Sequence, residues 1–579
     1  MRSFAELARL REAWDRLATA RRTPEVFHTF AWAEAWWRGH GRRFEVFSPV
    51  VRDADGEVVA IWPLVLAGRE IRALGDGASD HNDLLASSEY AEPALRAALG
   101  ALAASRRDWD TGVIEWVSDR GNLLGAANHI SGVSKVCLEV FPAGKGWAAV
   151  AEEGPKFFLD LARKESLRRH RKKLEQLGQV TFRHIEDVEE IKVHMQIFQR
   201  QHIARWALKG IRSSFLDVST KDYYSALPVC LSPSGPLRFA VLEVDRRPVA
   251  YHLGFELAGR YVWYKPTFDV DLAELGPGEV LLQSVMQYCA GAGIRELDFT
   301  VGDEAYKRRF CNLSYEYYRI HLFASRSAKR YVLLGRELAK RRCPALYTRI
   351  RSQSLYWTGR LRRLRQVIRR DGVLRFCRRR IRQLLRACVF RRDEVLIFRV
   401  SKDAGVLPDL VVPELEVLPF RLSLLAEASL EHQSYLSADR LESFRRRIAA
   451  GDRAVVAICR GKLAHVAWVG RRNTIIAATE TGPRCALDLS EEASVIYDCW
   501  TPEEFRGMGI YPAVLQSLLR QELHSGRDVW IYCTRENQAS RAGIRKAGFV
   551  EAARFIRTVV FGRLERCRVV RYNRGETRS

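Results

Sequence analysis

The stretch 493–534 constrains the fold most. "ASVIYDCW" is a short apolar run of strand character, "TPEEFRGMGIYPAVLQSLL" follows at once, and "DVWIYCT" closes the unit. We read a strand, a glycine-rich turn, an amphipathic helix and a second strand, which commits the region to an αβ design. The turn between strand and helix is built like an anion trap. The first helical N–H groups have no intrahelical partner, and the helix dipole is positive at that end. Gly507 and Gly509 carry no side chain, so an anion can approach the backbone amides of Gly507, Met508, Gly509, Ile510 and Tyr511 closely, with Arg506 adding charge beside them. G-x-x-x-x-G-K-[ST] and G-x-G-x-x-G are both absent, which excludes a P-loop and the dinucleotide fingerprint at this turn.

The same alternation of strand-like and helix-like stretches fills the rest of 393–579 and all of 1–325. "DRAVVAICRGKLAHVAWVGRRNTIIAATET" (452–481) reads as an antiparallel meander. "FEVFSPVVRDADGEVVAIWPLVL" (44–66) reads as two strands around a turn at Asp53–Gly56, and 237–269 as three strands. "GPGEVLLQSVMQYCAGAG" (276–293) is a glycine-proline turn opening a helix, which gives Gly276 and Gly278 the same anion-trap geometry. Trp32, Trp36 and Trp37 at helical spacing belong to a core. His81, between Asp80 and Asn82, reads as part of a polar turn. The expected fold class is mixed α/β, with units 1–325 and 393–579.

Between them the charge changes. The chain carries a formal +25, but residues 326–392 hold about 23 Lys and Arg against only Glu337 and Asp371. Leu361, Leu364, Val367 and Ile368, then Leu374, Ile381 and Leu385, recur at helical spacing, so we expect basic amphipathic helices broken at Pro344 and Asp371–Gly372. Three roles compete for this segment: a helical linker, a contact with an anionic membrane surface, and a tRNA contact. No apolar run reaches membrane-spanning length, and the N-terminus lacks the pattern of a signal peptide. The twelve cysteines are scattered without metal-site spacing, so we expect reduced thiols, no metal and a cytoplasmic protein.

"PEEFRGMGIY" followed by "DVWIYCTRENQASRAGIRKAGF" resembles the GNAT family of acyl-CoA-dependent N-acyltransferases over about 395–570. The family's pyrophosphate signature is R/Q-x-x-G-x-G/A. Arg506, Gly509 and Tyr511 take its places, with Tyr511 departing at the last. The resemblance implies that the amides from Gly507 to Tyr511 bind the pyrophosphate of acetyl-CoA, and that Asn537 and Ser540 grip the pantetheine arm. A tyrosine that serves many members as general acid is replaced here by Ile544, which has no proton to give. Asp498 and Glu480 lie near the strands that would flank the cleft.

"FHTFAWAEAWWRGHG", "LGDGASDHNDLL", "KESLRRHRKKLEQLGQVTFRHI", "QHIARWALKG", "GPGEVLLQ" and "DFTVGDEAYKRRF" occur in that order in 1–325. This set resembles the CelD/BcsL family, a GNAT-like branch with a duplicated fold related to FemAB peptidyl transferases. The resemblance implies a transferase of envelope or exopolysaccharide synthesis acting on a small-molecule or glycan amine. Asp303, Glu304 and Lys307 cluster after a strand, where a carboxylate can accept the proton of an attacking amine and a cation can stabilise charge. His202 and Trp206 share a helix face. The expected function is acyl-CoA-dependent N-acyl transfer. An aminoacyl-tRNA-dependent ligase and a non-catalytic, membrane-associated acyl-CoA-binding scaffold are the alternatives.

Overall fold

The computed structural model describes residues 1–21, 23–130, 135–232, 235–324, 328–342, 390–403, 409–424, 426, 438–477, 485–560 and 564–572. The chain divides into two compact units, Met1–Arg342 and Cys343–Ser579. Both are mixed α/β, as the sequence pattern requires. Ala328–Arg342 is a helix. The other basic helices expected in 326–392 fall on 343–389, outside the described residues, as does Glu480. No helix among the described residues is long and apolar enough to cross a membrane.

In the first unit, eleven strands form one sheet and three short strands a second. Neighbours in the large sheet are antiparallel except for two pairs. Glu70–Ala73 runs parallel to Thr111–Ser118, and Arg260–Phe268 runs parallel to Glu296–Val301. A parallel pair needs a crossover. A helix supplies each, Ala91–Ala104 for the first and Pro277–Gly291 for the second. Two halves of similar design therefore share one sheet. They are stitched together at the centre: Leu313–Ala324, the last strand, lies between Thr111–Ser118 and Val136–Val150, and Val136–Val150 in turn pairs with Glu296–Val301.

The stretch 44–66 departs from the expected two strands. It forms four, Glu45–Val46, Val50–Arg52, Val58–Ile61 and Leu64–Ala67. The outer two pair within the large sheet and the inner two within the small one. Pro49 and Pro63 stand at the two crossings, where a residue without a ladder N–H costs nothing. Of the three tryptophans expected in the core, Trp32 and Trp36 are fully buried and Trp37 is half-buried.

The second unit is one eight-stranded sheet. Within the stretch expected as a meander, Arg453–Cys459 and Lys462–Ala477 form an antiparallel hairpin. Cys485–Trp500 continues it and runs parallel to Val529–Thr534, with the helix Ile510–His524 as crossover. That helix packs Val514, Leu515, Leu518 and Leu519 against Ile496 and Ile531. At roughly 1.5–3 kcal/mol for each fully buried aliphatic side chain, this face fixes where the helix begins. The helix Ala438–Ala449 lies on the other face, with Phe444 stacked on Trp468 at 5.3 Å. Seven described cysteines are free thiols, but Cys567 is disulfide-bonded, so the expectation of wholly reduced thiols fails there.

Candidate functional site

The parallel strands of the second unit part company within reach of the glycine turn. Their pairing covers Ser494–Val529, Val495–Trp530 and Ile496–Ile531 and stops, although both strands run on to Trp500 and Thr534. Asp498 sits where they separate, in left-handed backbone at φ 47°. Beyond the split lies a cleft of about 630 Å³ lined by Cys499, Thr501, Gly507, Gly509, Tyr511 and Asn537, among others.

At the mouth of this cleft, Gly507 and Gly509 have φ of 82° and 77°. A residue with a Cβ would carry a cost of about 1–2 kcal/mol in this region, which is why glycine stands at both places. Space is not the reason: a Cβ on Gly507 would meet nothing within 4 Å, and one on Gly509 only a Val412 methyl at 3.7 Å. Gly509 is the N-cap of Ile510–His524, and no side chain caps that end. Among the described residues, the amides of Gly507, Met508, Gly509, Ile510 and Tyr511 meet no protein acceptor. Pro512 follows, where a missing N–H is tolerated. Arg506 is exposed; its Nε donates to the Thr501 carbonyl at 3.2 Å and its Nη1 lies 3.6 Å from Glu503. Asn537 caps the helix Gln538–Lys546, its side chain accepting from the Ser540 amide at 3.0 Å.

Burial favours the neutral form of three groups that line the cleft, Cys499, His465 and Tyr511. Burial pushes the Cys499 thiol up to about 12, so it is not a ready nucleophile. Burial brings His465 down to about 3, with its Nδ1 2.8 Å from Thr501 Oγ1. Tyr511 is raised by burial and lies 3.2 Å from Ser540 Oγ, its ring against Gly543, where a Cβ would approach to 2.5 Å. Ile544 is wholly buried. The arrangement suits an anion at the amides, with Arg506 and Lys546 also lining the cleft.

In the first unit, Glu304 and Lys307 come together and Asp303 turns aside. The buried Lys307 donates to the Val301 carbonyl at 2.7 Å and pairs with Glu304 at 3.0 Å, both folded over Gly302. Asp303 is exposed, bound by Arg308 at 2.6 Å and by Trp147 Nε1 at 3.1 Å. Gly276 is left-handed at φ 69°, and a Cβ there would lie 2.6 Å from the His170 ring. Glu279 in the first turn, 2.9 Å from His170 Nδ1, already complements that helix end. Gly278 faces the Phe268 ring, 3.1 Å from where its Cβ would lie. His202 is buried, stacked on Trp206 at 5.5 Å and 3.0 Å from Ser213 Oγ. Nearby, Arg205 lies over the ring of Phe268, Lys209 over Trp206, and Lys265, on the strand Arg260–Phe268, over Tyr264.

Sequence reasoning missed a buried polar lattice. Arg260 binds Glu25, Glu296 at 3.0 Å and Asp298 at 2.8 Å. Arg120 holds Glu296 with two bonds of 2.6 and 2.9 Å, and Tyr315 donates to Asp298 at 2.6 Å. His81, read as part of a polar turn, is buried among them. Burial opposes its charge, but Glu25 and Asp298 outweigh that and raise its pKa. Glu25, His81 and Asp298 also place ligand atoms within 4.8 Å of one another. The guanidinium of Arg260 already bridges the same two carboxylates, so the cation this cluster calls for is supplied by the chain.

The model of the Acetyltransf_6 family, described as an acetyltransferase (GNAT) domain, matches residues 162–308. The match lies in the first unit and includes Gly276, Gly278, Asp303, Glu304 and Lys307. A search of curated proteins found no match. Among solved structures the chain is similar to FemX (11% identity over 54% of this chain and 95% of that one, TM-score 0.38). It is similar to L-PGS from Bacillus licheniformis (13%, 54% and 96%, TM-score 0.36). It is also similar to a GNAT-family acetyltransferase from Colwellia psychrerythraea (10%, 65% and 98%, TM-score 0.21).

Proposed function

We propose that the chain is an acyl-CoA-dependent N-acyltransferase whose C-terminal cleft holds the donor. The row of five amides without protein acceptors, from Gly507 to Tyr511, carries this reading. Such a row, at the positive end of a helix and fixed by two left-handed glycines, is complementary to a pyrophosphate. The cleft behind it, lined by Asn537 and Ser540, accommodates the pantetheine arm and acetyl group of acetyl-CoA. With Cys499 held as a thiol, the substrate amine attacks the thioester directly.

The match of residues 162–308 supports the transferase class. The first unit would be a transfer centre of its own, in which Glu304 accepts the proton of an attacking group and Lys307 stabilises developing charge, with Asp303 fixing the strand end. The order of motifs in 1–325 supports a setting in envelope or exopolysaccharide synthesis, with a glycan or small-molecule amine as acceptor. The basic segment 326–392 would hold the enzyme to an anionic membrane surface from the cytoplasmic side.

The test is amine-dependent release of free thiol from acetyl-CoA by the purified chain, across a panel of amino sugars and polyamines. Thiol release that rises with added amine is expected. Salt-sensitive binding of aminoacyl-tRNA, with no use of acetyl-CoA, would replace this reading with the ligase one.

A further inference from the structure

The helix Ile510–His524 has the glycine turn at its start and a second, separate cleft at its end, about 22 Å away at a rise of roughly 1.5 Å per residue. This second cleft has a volume of about 700 Å³. The register of the sheet places its residues. Arg453 opens its strand opposite Val469, and Lys462–Ala477 runs on past that point. Arg471 stands two residues beyond Val469, so it shares a face with Arg453. Ser494 is the partner of Arg471 on the next strand, and Ile496, two residues on, packs under the helix. Arg453, Arg471 and Ser494 therefore lie on the helix side of the sheet, where Ser525 and Arg527 follow the helix end.

Four arginines line this cleft, Arg453, Arg471, Arg472 and Arg527, against two carboxylates, Asp452 and Glu522. Each carboxylate is already held. Arg472 binds Asp452 with two bonds of 2.8 and 2.6 Å, and the Tyr497 hydroxyl donates to the same group. The buried Glu522 accepts from Ser494 Oγ at 2.6 Å and pairs with Arg453. Among the described residues, Arg471 and Arg527 form no ion pair. Burial, then the like charges of Arg471 and Arg527, lower the pKa of the Arg453 guanidinium, so the three cations act on one another. Arginines beside the last turn of a helix complement its dipole, but that end carries only about half a negative charge. The surplus here is two positive charges, more than the helix end absorbs.

We infer that this cleft is a second anion site, in which Arg453, Arg471 and Arg527 hold the phosphate of a small phosphomonoester. A phosphomonoester carries close to two negative charges at neutral pH, which matches the surplus. Guanidinium groups present paired N–H donors that fit phosphate oxygens, and three of them converging from three separate elements enclose the dianion. The volume beyond the phosphate leaves room for the molecule that carries it. The site stands apart from the donor reading, because it lies at the opposite end of the helix from Gly507 and Gly509.

Inorganic phosphate is the first probe, followed by equilibrium dialysis. Gly509→Glu serves as the background, because the amides at Gly507–Tyr511 also offer phosphate a place. Saturable binding that weakens as salt rises is expected there, and adding Arg471→Ala and Arg527→Ala is expected to weaken it about tenfold or more. Glucose 6-phosphate is expected to bind at least as tightly as phosphate. The second measurement uses the unaltered chain, where no substitution disturbs folding. Phenylglyoxal modification of arginines is mapped by mass spectrometry, and glucose 6-phosphate is expected to protect Arg471 and Arg527 while glucose protects neither. Phosphate binding unchanged by the two arginine substitutions, exclusion of glucose 6-phosphate, or equal modification of Arg471 and Arg527 with and without it overturns the assignment.

Discussion

His81 Nε2 stands 3.4 Å from Asp298 Oδ2 with both residues buried, and Arg260 reaches the same oxygen at 2.8 Å. With His81 protonated, Arg120, Arg260 and His81 balance Glu25, Glu296 and Asp298. The lattice ties the segments around residues 25 and 81 to Arg260–Phe268, Glu296–Val301 and Leu313–Ala324, where the two halves of the first unit share their sheet.

Stability should therefore follow the charge of His81. Its folded pKa is raised above the unfolded value of about 6.5, so its contribution is full below that value and is lost as pH rises through the folded one. Asp298 is depressed by His81, Arg260 and Tyr315, against the opposing effect of burial. Its contribution is present above about 3.9 and is lost only as pH falls through its lower folded value. The urea midpoint of the wild type should fall between about pH 6 and pH 9, and His81→Gln should flatten that fall.

Arg260→Met removes the cation shared by Glu25, Glu296 and Asp298 and leaves carboxylates buried without it. A loss of about 3–5 kcal/mol is expected in denaturant unfolding.

Gly507→Ala meets no atom within 4 Å, so its cost is that of left-handed backbone alone. A loss of about 1–2 kcal/mol is expected, and Gly507→Asn should lose less, since Asn tolerates this region better.

Lys307→Met leaves the Val301 carbonyl and Glu304 without their buried donor. It should destabilise the chain by about 1–3 kcal/mol. Asp303→Asn, at an exposed pair with Arg308, should leave the unfolding midpoint where it is.

The sequence announced some of this and concealed the rest, for physical reasons. A left-handed turn leaves a mark in the chain because glycine must occupy it, so "RGMGIY" disclosed the helix terminus of the second unit. The parting of Cys485–Trp500 from Val529–Thr534 left no such mark; it depends on which strands pair and where pairing ends. The buried lattice was hidden because Glu25, His81, Arg120, Arg260 and Asp298 come from five separated places, and only the shared sheet brings them together. His81 looked like a turn residue because its neighbours Asp80 and Asn82 are polar. In 44–66, alternation indicated strands, while Pro49 and Pro63 decided that the hairpin would cross from one sheet to the other.

In the proposed function the bare amides at Gly507–Tyr511 receive the donor's pyrophosphate. Calorimetric titration of acetyl-CoA into the wild type and into Gly509→Glu tests it most directly, with circular dichroism to show that the variant is folded. Saturable binding by the wild type and its loss in folded Gly509→Glu is the predicted result, because a carboxylate there opposes the pyrophosphate in charge and fills its place. Binding of equal strength in both chains would contradict the account and place the donor elsewhere in the molecule.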